Sequence, residues 1–145
     1  MKIGRAETMA ARAACFAIRR AVFIEEQNIP EAEEWDAHDA TCRHYLAQDT
    51  RGPAATARLI RRDGTDGPFA KIGRVAVLRA RRGTGLGARI MGVVLEDART
   101  EGLKAAELEA QVAVIAFYER LGFVAVGPEY DDGSGILHRL MRRGL

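Results

Sequence analysis

Three glycines, at positions 83, 85 and 87, separate a Val-rich segment from an amphipathic one, and this loop constrains the fold more than any other feature of the chain. Glycine lets the backbone turn successive N–H groups toward one point. Where such a loop opens a helix, the unpaired N–H groups and the positive end of the helix dipole favour a phosphate or pyrophosphate. The alternative interpretation is a plain glycine-rich turn.

The loop fits neither of two common phosphate-binding patterns. A P-loop requires a Gly-Lys-Ser/Thr sequence, and no such lysine follows Gly87. A dinucleotide-binding fingerprint follows the first strand of a parallel sheet, whereas this loop follows three strands that are predicted to be antiparallel. We therefore expect an anion site of a different architecture.

Hydrophobic periodicity and turn residues predict an α/β fold with a mixed, mostly antiparallel sheet in a single domain over residues 1–145. Thr8 is a candidate N-cap, and Gly102 is expected to end the helix that the glycine loop opens. The predicted elements are a strand at Lys2–Arg5, a helix from Thr8 to about Ile24, a polar loop at Gln27–Asp39 with room for a short helix, strands at Arg43–Asp49, Ala54–Arg62 and Ala70–Leu78, a helix from Leu86 to about Glu101, a strand at Ala105–Ala110, a helix at Val112–Leu121, and strands at Val124–Val126 and Ile136–Met141.

Charge and composition exclude several classes of protein. The 145 residues carry 22 Lys and Arg against 20 Asp and Glu, a net charge of +2 that is too small a surplus to indicate nucleic-acid binding. The apolar runs are far shorter than the roughly 20 residues of a membrane span, and the N-terminus lacks a secretion signal, so we expect a cytoplasmic protein. Cys15 and Cys42 lie far apart and outside any CxxC pattern, which predicts reduced thiols and no metal site.

Two motifs in the second half of the chain resemble those of the GNAT N-acetyltransferases. Arg82-Gly83-Thr84-Gly85-Leu86-Gly87 matches the family's Arg-x-x-Gly-x-Gly loop, and Ala110-Gln111 with Phe117-Tyr118-Glu119-Arg120-Leu121-Gly122-Phe123 resembles its later motif. This agreement spans roughly Ile72 to Phe123. The N-terminal part is similar to a bacterial subgroup exemplified by ElaA and YjcF-like proteins at Arg19, Val22, Phe23, Glu26, Gln27, Pro30, Glu34, Asp36, Asp39 and His44.

The C-terminal segment departs from the Glu-Ala-Gly-Ile-Pro-His pattern of that subgroup. This chain reads Gly133-Ser134-Gly135-Ile136-Leu137-His138, so the glycine and the histidine align while the acid is missing at that register. Asp131 or Asp132 would replace it through a one-residue shift. His138 is predicted to be a hydrogen-bonded sheet residue rather than a proton carrier.

The resemblance implies a GNAT fold whose central sheet, flanked by helices, splays open into a cofactor cleft. It implies that acetyl-CoA is the cosubstrate and that the acetyl group passes to the primary amine of a small molecule or peptide. The cofactor-binding residues that it assigns are Val75, Ala76, Val77, Arg82, Gly83, Thr84, Gly85, Leu86, Gly87, Gln111 and Phe117.

Acyl transfer to an amine needs a base, donors for the oxyanion and a proton for the leaving thiolate. The resemblance implies that Tyr118 is the proton donor; its alternative role is that of a packed aromatic side chain. Backbone N–H groups at 76–78 are expected to donate hydrogen bonds to the oxyanion. Glu26 is the first candidate for the base. Arg74 is expected either to clamp an anionic group of the substrate or to form a salt bridge to Glu26 or Glu34. The remaining candidates for the base or for substrate binding are Glu34, Asp36, Asp39 and His44.

Several alternatives remain open from the sequence. Acyl-homoserine lactone synthesis is one, because Arg19, Phe23, Trp35, Asp36 and Asp39 loosely resemble that family, although this chain is short for it. A module that binds acetyl-CoA without turnover is another, and both a monomer and a homodimer are compatible with the sequence. The acidic residues between Glu25 and Asp39 are expected to create a negative field on the acceptor side, which favours a cationic amine.

Overall fold

A computed structural model describes residues 1–145 and shows eight strands and four α-helices. The strands are β1 (Lys2–Arg5), β2 (Arg43–Asp49), β3 (Gly52–Gly64), β4 (Gly67–Val77), β5 (Ala105–Gln111), β6 (Val124–Ala125), β7 (Tyr130–Asp131) and β8 (Leu137–Gly144). The helices are α1 (Met9–Arg19), α2 (Glu31–Glu34), α3 (Leu86–Thr100) and α4 (Ile115–Arg120). A π-helical segment, Arg20–Glu26, continues α1, and short 3₁₀ turns lie at Ala37–Ala40, Arg79–Arg81 and Val112–Val114.

All strands belong to one sheet, with the order β1-β2-β3-β4-β5-β8-β6 and with β7 paired to β8. Every pairing is antiparallel except that of β4 with β5, which is parallel. The parallel pair needs a crossover connection, and α3 supplies it. The predicted mixed and mostly antiparallel sheet is therefore confirmed.

Helices cover both faces of the sheet because neighbouring strand residues point to opposite sides. On β2, Tyr45 and Ala47 pack with residues of α3, whereas Leu46 packs with residues of α1. The larger core, on the α3 side, includes Ile90 and Val94, which are fully buried. The smaller core, on the α1 side, contains Cys15, Ile18, Val22 and Phe23. Apolar residues at helical spacing therefore form the buried face of each helix.

The first helix begins as predicted and ends differently. The Thr8 side chain accepts a hydrogen bond from the N–H of Ala11 and so caps α1. The predicted helix to about Ile24 is present, but from Arg20 it continues as a π-helix, at whose end Gln27 N–H donates to the carbonyl of Val22, five residues earlier, at 3.1 Å. This π-helical geometry widens the turn and directs Glu26 and Gln27 toward the cleft described below.

Smaller differences lie near the C-terminus. The predicted helix at 112–121 starts as a 3₁₀ turn, so α4 is only six residues long. The last strand starts one residue later than predicted and continues to Gly144, and the two-residue strand β7 was not predicted. None of the helices is long and apolar enough to span a membrane.

Candidate active site

The sheet opens between β4 and β5. These two strands pair only where Ala70–Ile72 face Ala106–Leu108, and no pairing continues beyond Ile72 and Leu108. A cleft of about 870 Å³ lies at this opening. It is lined by the end of the π-helical segment, the second half of β4, the glycine loop, the end of β5, α4 and the loop before β8. The predicted splayed cleft is therefore present.

A β-bulge shapes the β4 side of the cleft. Thr56 faces Ala76 and Arg58 faces Gly73, so Arg74 and Val75 together oppose the single residue Ala57. Arg74 takes a left-handed φ of 52°, which is uncommon for a residue with a side chain and marks local strain. Since no strand pairs with this edge of β4, its backbone N–H groups are available to a ligand. Val75, Ala76 and Val77 all line the cleft.

The glycine loop opens α3 without a side-chain cap. Gly83 and Gly85 have φ values of 80° and 79°, in the left-handed region that glycine adopts without strain. The first intrahelical bond runs from Arg89 N–H to the carbonyl of Gly85, so the N–H groups of residues 86–88 have no helical partner. Three amides and the helix dipole therefore face the cleft, and the site fits a phosphate group.

Gly87 serves packing rather than the turn. A Cβ atom built on it would lie 3.2 Å from the Phe117 ring, so a side chain here would require the ring to shift by a few tenths of an ångström. Leu86 is buried in the core and also reaches the cleft. Thr84 lies outside the cleft lining, at the tip of the loop, where its hydroxyl donates to the carbonyl of Arg81.

Arg82 and Glu26 form an ion pair at the mouth of the cleft. The guanidinium donates two hydrogen bonds to the Glu26 carboxylate, at 2.7 and 2.8 Å, and a third to the carbonyl of Val77 at 2.9 Å. The hydrogen bonds from Arg82 lower the pKa of Glu26. A carboxylate that is held in this way accepts a proton poorly, so the geometry disfavours the predicted role of Glu26 as a base.

Tyr118 and Phe117 lie on α4 against the cleft. Tyr118 is 8% exposed and packs edge-on against Phe117 and Phe123. Its hydroxyl makes no hydrogen bond within the protein and is not among the fully buried unpartnered atoms, so it opens into the cleft. Burial raises the pKa of Tyr118 to about 12, which keeps the hydroxyl protonated at neutral pH.

A pair of glutamines bridges the two sides of the cleft. Gln111, at the end of β5, donates from Nε2 to Oε1 of Gln27 at 2.8 Å. Gln27 follows the π-helical segment, and both residues line the cleft. The sequence motif pointed to Gln111, whereas its partner was not predicted, because a contact over 84 positions has no local sequence signal.

Three arginines and three acids form an ion-pair network between the π-helical side of the molecule and β3–β4. Its members are Arg19, Arg58, Arg74, Glu34, Asp36 and Asp39. Burial tends to raise the pKa of Asp39, but hydrogen bonds from Arg19 and Arg58 outweigh this effect and hold it at about 2. The expected negative field on the acceptor side was therefore wrong for these acids, since each faces an arginine.

The predicted substrate-binding residues fall into two groups within and beside this network. Arg74 and Glu34 line the cleft and pair with each other at 3.2 Å, so the salt-bridge interpretation of Arg74 is the one observed. Asp36 and His44 lie outside the cleft lining. His44 is 2% exposed, packs edge-on against Phe16 and bonds through Nε2 to the carbonyl of Asp39, a position that argues against contact with a substrate.

Other residues line the cleft without having been assigned to it from the sequence. Their polar members include Gln27, Arg58, Glu109, Asp132, Ser134 and His138. Glu109 lies on β5 just beyond the last pairing with β4, and His138 faces Gln111 across the β5–β8 ladder. Strand alternation would have placed Glu109 and Gln111 on one face, but only the three-dimensional pairing brings His138 beside them.

This combination of a splayed sheet, a bulged β4 and a glycine loop at an uncapped helix defines an acyl-CoA-dependent acetyltransferase of the GNAT class. The family model described as "Acetyltransferase (GNAT) family" matches residues 11–123, and the chain belongs to this family. GNAT enzymes generally use acyl-CoA.

Several relatives match along most of their length. The chain is 36% identical to protein ElaA of Escherichia coli over 129 residues, which cover 87% of this chain and 82% of ElaA. It is 30% identical to the uncharacterized N-acetyltransferase YjcF of Bacillus subtilis, covering 88% of this chain and 89% of YjcF. The crystal structure of an acyl-CoA N-acyltransferase from Pseudomonas aeruginosa superposes with a TM-score of 0.82 at 32% identity, covering 98% and 97% of the two chains.

Proposed function

We propose that this chain transfers the acetyl group of acetyl-CoA to the primary amine of a small molecule or peptide. The observation that carries the proposal is the position of the uncapped N-terminus of α3 next to the opening between β4 and β5. An anion held at the helix and a thioester held at the opening then share one continuous cleft. When bound, acetyl-CoA supplies an activated acyl group whose carbonyl is open to attack by an amine.

The chain's own backbone would bind and orient the cosubstrate. The N–H groups of residues 86–88 have no helical partner and would donate to the pyrophosphate. The unpaired edge of β4 after the bulge would align the pantetheine arm as an additional strand-like partner. The N–H groups of the same edge would donate to the oxyanion that develops on the thioester carbonyl.

Tyr118 would supply the proton to the leaving thiolate. Its hydroxyl is protonated at neutral pH, as that of an ordinary tyrosine is, and burial raises its pKa further, to about 12. A thiol is a stronger acid, with an ordinary pKa near 8.5, so transfer of the Tyr118 proton to the thiolate is uphill by itself and is completed when the tyrosinate takes the second N–H proton of the attacking amine. The buried ring keeps the hydroxyl in place beside the opening of the sheet.

The acceptor would bind on the side of the cleft formed by Arg74, Glu34 and the loop before β8. We also propose that the enzyme is cytoplasmic. Glu26 and Glu34 are each paired with an arginine, so these two carboxylates do not restrict the acceptor to strongly cationic amines.

A pair of variants at Ala88 tests the cofactor site. Ala88 is exposed, lines the cleft and carries one of the free N–H groups of α3. Ala88→Glu places a negative charge beside the expected pyrophosphate, whereas Ala88→Gln has nearly the same size without the charge. By calorimetry we expect the Glu variant to bind acetyl-CoA about tenfold more weakly than the Gln variant. Equal affinities for the two variants would contradict the assigned anion site.

Thiol release in a panel of primary amines tests the reaction itself. The wild type is expected to release free thiol from acetyl-CoA in proportion to the amine that is acetylated. Binding of acetyl-CoA without amine-dependent thiol release would show a binding module in place of an enzyme. Turnover with acyl carrier protein but not with acyl-CoA would indicate the acyl-homoserine lactone type of reaction.

A further inference from the structure

His138 lies on β8 and lines the cleft. It pairs with Gln111, the last residue of β5, and its side chain lines the same cleft as Tyr118. The side chain is 12% exposed, so protein encloses it on most sides.

The hydrogen bond of Nδ1 fixes the tautomer of the ring. Nδ1 lies 2.7 Å from the carbonyl oxygen of Ile136, and Oδ2 of Asp132 lies further away, at 3.7 Å. A carbonyl oxygen can only accept, so Nδ1 carries the hydrogen and the neutral ring keeps its lone pair on Nε2. Nε2 makes no hydrogen bond within the protein, and the fully buried unpartnered side-chain atoms belong only to His44 and Arg58. The lone pair of Nε2 is therefore open to the cleft.

Charged and aromatic side chains surround the ring of His138. Asp132 lies beside Nδ1, and Tyr130 stacks on the ring with centroids 6.0 Å apart. Glu109, on β5, faces Tyr130 and is half-exposed. Lys71 is the opposing cation, and its Nζ lies 3.9 Å from Glu109. The charged groups near the ring are therefore two carboxylates and one ammonium.

The carboxylates that the sequence suggested as bases are held by arginines. Glu26 accepts both of its short hydrogen bonds from Arg82. Glu34 lies between Arg19 and Arg74 and is 2% exposed, which leaves little surface for an amine to contact. His138 presents a free lone pair to the same cleft without breaking an ion pair.

We propose that His138 is the general base of the reaction, an inference that rests on the proposed function. Nε2 takes a proton from the acceptor's ammonium group, which leaves a neutral amine. The amine nitrogen then bonds to the thioester carbon, the C–S bond breaks, and the thiolate takes the Tyr118 proton. The second N–H proton passes to the tyrosinate, and the imidazolium returns its proton to water, so one proton is released per acetyl group transferred.

Two acceptors of different basicity test this role in the intact protein. Ethylamine is protonated at neutral pH and needs a base, whereas 2,2,2-trifluoroethylamine is already neutral and does not. We expect His138→Gln to lower kcat/KM for ethylamine about a hundredfold and to leave kcat/KM for trifluoroethylamine near that of the wild type. His38→Gln, at an exposed histidine outside the cleft, is the matched control and should match the wild type with both amines.

The pH profile gives a second readout. With ethylamine, kcat/KM of the wild type should rise with pH and level off once His138 is neutral. The rate of His138→Gln should instead keep rising with pH, because it depends on the small fraction of free amine. Equal losses with both amines, or a plateau that survives in His138→Gln, would overturn the assignment and point to another base such as Glu34.

A spectroscopic measurement keeps the inference testable if the variant folds poorly. In the wild type labelled with ¹⁵N, the imidazole spectrum of neutral His138 should show hydrogen on Nδ1 and none on Nε2. Hydrogen on Nε2 would overturn the proposal. A wild type that binds acetyl-CoA but acetylates neither amine nor any other in the panel would instead refute the proposed function, and this inference with it.

Discussion

The hydroxyl of Tyr118 combines burial with access to the cleft, and this combination makes its role testable. We expect Tyr118→Phe to lower the rate of thiol release about a hundredfold, because the thiolate would leave without a proton donor. The affinity for acetyl-CoA should not change, since the ring still packs against Phe117 and Phe123. Rate measurements with calorimetry check this. An unchanged rate would leave Tyr118 with only a packing role.

Glu26 offers the complementary test at the residue scale. Its carboxylate neutralises Arg82, and the hydrogen bonds from Arg82 lower its pKa. Glu26→Gln removes the charge, keeps a hydrogen-bonding group and frees the Arg82 cation near the cofactor site. We expect acetyl-CoA to bind equally or more tightly, and kcat with ethylamine to stay within about tenfold of the wild type. If the plateau of the pH–rate profile disappears in this variant, Glu26 and not His138 is the base.

At the scale of elements, the sequence predicted the helix starts that depend on residues close together in the chain. Thr8 predicted the start of α1, and the glycine loop predicted the start of α3, because a cap and a left-handed turn depend on a few adjacent residues. The π-helical end of α1 and the bulge at Arg74 were not predicted. Both depend on packing across the sheet, and Arg74 occupies a conformation that its residue type disfavours.

The candidate site also has one part that the sequence predicted well and one part that it did not. The cofactor side follows one continuous stretch of chain from β4 into α3, so a motif in the sequence describes it well. The acceptor side is assembled from the π-helical segment, β5 and the loop before β8, which are distant in sequence. Ion pairs such as Arg82–Glu26, 56 positions apart, decide which carboxylates are free, and the sequence pattern carries no signal for such pairing.

At the scale of the whole molecule, the cleft and one of the charged clusters that hold the elements together occupy different places. The cleft opens between β4 and β5, whereas Asp97 on α3 ties the helix to β1 and β2. Its carboxylate accepts two hydrogen bonds from Arg5 at 2.9 Å, one from Arg43 at 3.3 Å and a short one from the Tyr45 hydroxyl. Function and stability can therefore be altered separately.

Asp97 gives a prediction for acid stability. Hydrogen bonds from Arg5 and Tyr45 hold its pKa at about 2, below the ordinary value near 3.9. Since the folded-state pKa is the lower one, the stabilisation is complete above pH ~4 and is lost as the pH falls toward ~2. We expect Asp97→Asn to reduce the free energy of unfolding by about 2 kcal/mol at neutral pH, with the difference from the wild type shrinking as the pH falls through this range.

Urea unfolding from neutral to acidic pH measures this effect, and Asp63→Asn is the matched control because Asp63 is exposed in the β3–β4 hairpin and forms no ion pair. The control should follow the wild-type curve throughout. Acetyl-CoA affinity at neutral pH should be the same in both variants, since neither residue lines the cleft. A stability difference for Asp97→Asn that does not change with pH would mean that packing around the side chain, and not its charge, anchors α3 to the first two strands.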